Sequence, residues 1–347
     1  MGPLSGYKVI EVTTDRGMFA GKLLHDLGAE VVRIEPPGFD RTGTDYLYCN
    51  AGKHLVVLNM DVAVEKLTFN QLVSAADILI EDGQPGEPAG RGFGYEDIRA
   101  FHPGIIYASV TDFGQNSSGT GKRLCEPELQ AAAGWLSVSG EPDRPIAVPG
   151  NPTWKVAGLF AVNGILLALF HRHETGRGQY LDISVQECAA SVLDHVLVRQ
   201  ASTGETARRQ GSLHWNNAFR VFPCRDGHIL LSLHRQWETL VEWMASEGMA
   251  ADLPDTSYRN ENFRNANIGH IIEVVERWTK QHTAAELEET GQLMRFPWSS
   301  VYAVQDLLQD DHLQQRGSFT DIALPGEGTY NIPGPPVKMG GGFEHEG

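Results

Sequence analysis

Few residue groups in this 347-residue chain have the types and spacing that chemistry requires. His171 and His173 flank Arg172 at the end of an apolar helical run. Two residues apart on a helix they face different directions and cannot share a metal. Their expected role is that of solvated charges answering the helix dipole. Asp310, Asp311 and His312 form a second cluster, in a stretch that reads as a surface turn. Cys49, Cys125, Cys188 and Cys224 are far apart and form no CxxC pair, so they read as reduced thiols rather than a zinc or redox site. No GxSxG marks a nucleophile elbow. The turn TTDRGMFAG (13–21) lacks the GxGxxG spacing that lets a backbone approach a pyrophosphate. ETGRGQYLDISVQE (174–187) places two glycines around an arginine before a buried-type strand, which on its own is only a turn entering a strand.

The elements that must position any such site are legible in the hydrophobic pattern. KVIEV (8–12), VVRIE (31–35), LVVLNM (55–60), DILIED (77–82) and IIYASV (105–110) are strand-like. They alternate with helical spacing over 18–28, 63–76 and 95–101. Single helices between strands imply parallel βαβ units in an open, doubly wound sheet. Further helices are expected near 127–139, 155–172 and 186–200, with a strand at 180–185. TGETARRQGSLHWNN reads as loop, and HILLSL (228–233) with WETLVEWMASEG begins a smaller unit. Segment 246–269 gives no clear element, and from SSVYAV (299–304) onward the chain is expected to return to the first domain. The expected organisation is a large domain at 1–205, a linker and small α+β domain at 206–300, and a return segment at 301–347.

Composition narrows the function classes. A formal charge of −16 speaks against nucleic acid, because phosphate binding needs a basic face. The longest apolar run, Val156 to Phe170, is shorter than the roughly 18 residues a membrane span needs. The N-terminus MGPLSGYKVIEV has no secretory pattern, so a cytoplasmic protein without metal is expected.

Six segments in order resemble the class III CoA-transferases of the CaiB/BaiF family. They are LLHDLGAEVVRIEPPGFD (23–40), NAGKHLVVLNM (50–60), ILIEDGQPG with RGFGYEDI (79–98), IIYASVTDFGQ (105–115), GILLALFHRHETGRGQYLDISVQE (164–187) and YNIPGPPVKM (330–339). The resemblance implies a Rossmann-like large domain, a small domain and two subunits interlocked like chain links. It also implies transfer of CoA between carboxylic acids through an aspartate that attacks the thioester. That aspartate lies four residues before a glycine and ten before GIL; counting back from Gly158 and from Gly164 gives Trp154. The racemase branch pairs the aspartate with a histidine, and here Cys125 stands at that position, before Glu126. Two acid/base groups are required for exchange at the α-carbon, so racemisation is not expected.

For coenzyme A or an acyl-CoA, the resemblance points to Lys53, Asp82, Arg91, Lys122 and Arg123. Lys53 follows the Asn-x-Gly turn and suits a phosphate as a point charge. Asp82 replaces a common asparagine, and Arg91 falls one place later than the family arginine. Arg16 is a candidate for pairing with a substrate carboxylate, and Glu126 for a role in thioester isomerisation or dehydration. The expected function is a nucleophile-free subunit of a hetero-oligomeric CoA-transferase, of the kind acting on succinyl-CoA and an aryl-succinate, with an aspartate-bearing homologue as partner. The alternatives are a CoA-thioester-binding pseudoenzyme and a homodimeric CoA-thioester isomerase or dehydratase.

Overall fold

A computed structural model describes residues 2–117, 121–214, 219–233, 235–324 and 328–338. The ends of two expected segments, 215–217 of the loop and 339–347 of the return segment, lie outside the described residues. The elements run β1 (Lys8–Val12), α1 (Met18–Asp26), β2 (Glu30–Glu35), α2 (Thr44–Asn50), β3 (His54–Val57), α3 (Ala63–Ser74), β4 (Ile78–Glu81), α4 (Glu87–Gly90), α5 (Tyr95–Arg99), β5 (Ile106–Thr111) and α6 (Glu126–Ala132). A two-residue hairpin, β6 (Gly140–Glu141) and β7 (Arg144–Pro145), precedes α7 (Pro152–Thr175), β8 (Gln179–Ser184), α8 (Val185–Ser191) and α9 (Asp194–Thr203). The strands β1 to β5 and β8 form a parallel sheet in the order β3-β2-β1-β4-β5-β8, the doubly wound arrangement that the alternating pattern implied.

Alternate residues of each strand serve opposite faces. Ile106, Ala108 and Val110 of β5 enter one core with Ala157, Ala161 and Ile165 of α7. Tyr107 enters the other with Phe69 and Val73 of α3. The α7 helix is longer than its apolar run, because Pro152 starts it within its first turn and Gly176 closes it in the left-handed conformation. By length and composition α7 is apolar enough to cross a bilayer, but its Ala157, Ala161, Ile165 and Ala168 are buried in the core. Gly158 lets α7 approach α1, since a Cβ there would lie 3.0 Å from Phe19 Cδ1 and 3.2 Å from Ala20 N. That contact places the start of α7 beside the first βα turn.

Residues Ser137–Ile146 and Ala207–Asp311 group into a second compact unit. It holds the antiparallel strands β9 (Phe219–Pro223), β10 (His228–Ser232) and β11 (Ser299–Ser300), in the order β11-β10-β9. With them are helices α10 (Trp237–Ser246), α11 (Glu261–Ala266), α12 (Ile268–Thr279) and α13 (Ala284–Leu293), packed around Trp237, Trp278 and Phe222. SSVYAV yields only the two residues of β11, followed by the short α14 (Val304–Leu307) and α15 (Asp311–Gln315). The last elements, β12 (Phe319–Leu324) and β13 (Gly328–Pro333), pair as a hairpin that belongs to the large unit.

Candidate functional site

The first βα turn is held by a single carboxylate. Asp82, directly after β4 and 3% exposed, accepts hydrogen bonds from Thr14 N at 2.7 Å, Arg16 N at 3.2 Å, Gly17 N at 3.1 Å and the Thr14 hydroxyl at 3.0 Å. Burial pushes its carboxyl pKa up, and the turn amides oppose that shift. The residue expected to touch an anion or adenine is therefore committed to the turn. Within that turn Asp15 is exposed and without a hydrogen-bond partner among the described residues.

Arg16 is committed as well. Its Nε and Nη2 grip Asp112 in a buried two-pronged ion pair, and Nη2 also donates to Leu124 O at 2.7 Å. Asp112 accepts from Leu124 N at 2.7 Å, so the pair ties the first turn to the segment that carries Arg123 and Cys125. The fork expected to take a substrate carboxylate is filled by one from its own chain. Above it lies the Trp154 ring, with its centroid 5.5 Å from the guanidinium carbon.

Trp154 enters from the first turn of α7, which Glu126 caps from outside. Glu126 is 5% exposed and accepts from Thr153 N at 2.9 Å and from the Thr153 hydroxyl at 2.5 Å. A carboxylate at a helix N-terminus satisfies a free amide and complements the dipole. Glu126 thus caps the helix while it lines the cavity. The Trp154 indole packs against the core, and its Nε1 is buried with no hydrogen-bond partner among the described residues. Trp154, Arg16, Asp15, Tyr46, Arg123 and Glu126 all line one cavity of about 770 Å³.

Lys53 is absent from that cavity. Its Nζ donates to Glu11 at 2.7 Å, Met18 O at 2.9 Å and Asn50 Oδ1 at 2.9 Å, using all three protons. Burial pulls its pKa down, and the Glu11 carboxylate opposes that shift. Its expected phosphate contact gives way to a buried network in which Glu11 also pairs with Arg33, and Arg33 with Glu35. Gly21 makes room for this network, because a Cβ there would lie 1.6 Å from Glu11 Oε2.

Arg91 and Arg123 meet at a second, smaller crevice of about 140 Å³, together with Thr14, Asp82 and Gly83. It opens at the C-terminal ends of β1 and β4, where the strand order reverses and α/β sheets bind ligands. Arg91 is partly exposed, with Asp61 4.0 Å away, and Arg123 donates to the Thr14 hydroxyl at 2.8 Å. Lys122 is exposed and lines neither cavity. Sequence reasoning missed Asp15, Asp45 and Asp112. Asp112 immediately follows a strand, which was the available signal. Asp45 reaches the site by bonding Asn151 Nδ2 at 2.5 Å, a contact that spacing cannot reveal.

Glu81, the last residue of β4, borders the crevice and has an altered acidity. Burial pushes its pKa from the ordinary 4.5 up to about 7, against hydrogen bonds from Ser109 and Gly83. The folded state therefore holds a proton that the unfolded state releases between about pH 4.5 and 7. Stability is expected to fall as pH rises through that window, by at most about 3 kcal/mol. Urea unfolding at pH 5 and pH 8 measures this, and Glu81→Gln should flatten the difference. Equal pH dependence in the native and variant chains would contradict the assignment.

The sequence profile of CoA-transferase family III matches residues 4–343. The chain is 31% identical to the succinyl-CoA:mesaconate CoA-transferase of Haloarcula hispanica, over 98% of this chain and 90% of that protein. It is 28% identical to the succinyl-CoA:(R)-benzylsuccinate CoA-transferase subunit BbsE of Thauera aromatica, over 97% of this chain and 88% of that one. The crystal structure of a CAIB/BAIF family protein from Brucella suis superposes with a TM-score of 0.89 at 25% identity, covering 98% of this chain and 93% of that one.

Proposed function

The chain belongs to CoA-transferase family III, and from that premise we propose that it is the nucleophile-free subunit of a hetero-oligomeric enzyme moving CoA between carboxylic acids. One observation carries the reading: the side chain entering the cavity from the start of α7 is an indole. In a transfer of this type a carboxylate oxygen attacks the thioester carbonyl and expels the CoA thiolate, leaving a mixed anhydride. The thiolate then attacks the enzyme's acyl carbon, releasing the donor acid and forming an enzyme thioester that the acceptor acid opens by the same two steps. The indole nitrogen has its lone pair in the ring and offers only an N–H donor. An aspartate-bearing homologous subunit, interlocked with this one, supplies the oxygen. This chain offers Arg91 and Arg123 at the crevice as counter-charges for the CoA phosphates.

The resemblance to subunit BbsE supports succinyl-CoA and an aryl-substituted succinate as the acyl pair. The test is expression of the chain alone and together with an aspartate-bearing family member. The single chain should show no turnover and the pair should show it; full activity of the purified homomer rejects the reading. A second reading is favoured by Asp15, whose exposed carboxylate shares two cavities with Trp154 and sits on a turn fixed by Asp82. In that reading Asp15 replaces the missing nucleophile and the homomer is active.

A further inference from the structure

The sheet has a second pocket on the face away from α7. It holds about 480 Å³ and is lined by Glu81, Tyr95, Glu96, Asp97, Tyr107 and Tyr180 among others. Tyr107 of β5 and Tyr180 of β8 are register partners, and the three tyrosine rings touch with centroids 5.0–5.8 Å apart, forming one aromatic floor. Glu81 lies at its inner wall, 2% exposed. Asp97 accepts Gly94 N at 3.0 Å, and Glu96 stands 3.5 Å from Arg99, whose guanidinium carbon lies 5.8 Å from the Tyr95 ring centre. No lysine or arginine lines the pocket.

An aromatic floor with carboxyl walls and no cation in its lining attracts a positive ligand through ring faces and charge together, with Arg99 held outside it by Glu96 and Tyr95. Among the described residues no three His, Cys, Asp or Glu side chains come together as metal ligands. We propose that this pocket binds a small aliphatic amine, with the ammonium group at Glu81 and Asp97 and the methylenes across Tyr95 and Tyr180. The site is separate from the transferase cavity and touches the neighbouring crevice only through Glu81 and Pro88, which line both.

The test is calorimetric titration of the whole chain with 1,4-diaminobutane at pH 8 in 0.15 M sodium chloride, where weak attraction to the acidic surface is screened. Saturable 1:1 binding is expected, weakened at least about tenfold by Glu81→Gln and by Tyr180→Ala. Circular dichroism establishes that each variant is folded, and Tyr180→Phe, which keeps the ring, should bind nearly as well as the native chain. Absence of saturable heat overturns the proposal, as does equal binding by folded Glu81→Gln and Tyr180→Ala chains. Because the readout is binding, the result does not depend on whether this chain or a partner carries the transferase nucleophile.

Discussion

In a complex of this chain with an aspartate-bearing sister subunit, Asp15→Asn in this chain is expected to leave turnover within about twofold. Replacing the sister's aspartate by asparagine is expected to cost about three to six orders of magnitude, the range for loss of a covalent nucleophile. The asymmetry follows from geometry. Asp15 lines the cavity but is exposed and has no hydrogen-bond partner among the described residues, whereas a nucleophile needs partners that fix its rotamer. Two cations that line the same cavity are already neutralised, Arg16 by Asp112 and Arg33 by Glu11 and Glu35. Steady-state rates of the two complexes decide the matter. Collapse of activity in the Asp15→Asn complex would transfer the chemistry to this chain.

The largest expected loss of stability comes from Glu11→Ala. Glu11 is fully buried and joins Arg33, Lys53 and the Thr13 hydroxyl, the last at 2.9 Å. Arg33 retains Glu35 after the change, but Lys53 retains only the Met18 carbonyl and the Asn50 side chain. Leaving a buried charge without its partner costs about 3–5 kcal/mol, a large share of the roughly 5–15 kcal/mol that holds a domain folded. Deprotonation of Lys53, whose pKa burial already lowers, relieves part of the cost at higher pH. A Glu11→Met, Lys53→Met double variant should therefore be more stable than Glu11→Ala alone. Urea denaturation reads both, and a loss under about 1 kcal/mol for Glu11→Ala would show that the network is not held by this carboxylate.

The parallel sheet was legible because its strands are short apolar runs separated by helical spacing, and such runs have few other uses. Trp154 was singled out by the family resemblance, through its count from Gly158 and Gly164, and Gly158 is where α7 approaches α1. The roles of Lys53, Asp82, Arg16 and Glu126 were not legible. Each is a charged residue of a type that binds ligands, and each is instead held by a partner far away in sequence. Lys53 and Glu11 are 42 residues apart, Asp82 and Thr14 are 68, and Arg16 and Asp112 are 96. Sequence spacing reports residue type and local direction, whereas internal neutralisation is decided by which strand ends the fold brings together. The same limit hid Asp15, whose exposure follows from the grip of Asp82 on the amides around it.

The most direct measurement is the intact mass of the purified chain after incubation with succinyl-CoA and an acid quench. A side chain that attacks the thioester must pass through an acyl or CoA adduct, and an indole cannot form one. Only the unmodified mass is expected for this chain, with an adduct on the sister subunit when the two are co-expressed and purified as a complex. A covalent adduct on this chain alone, at Asp15 or at any other carboxylate, would contradict the account.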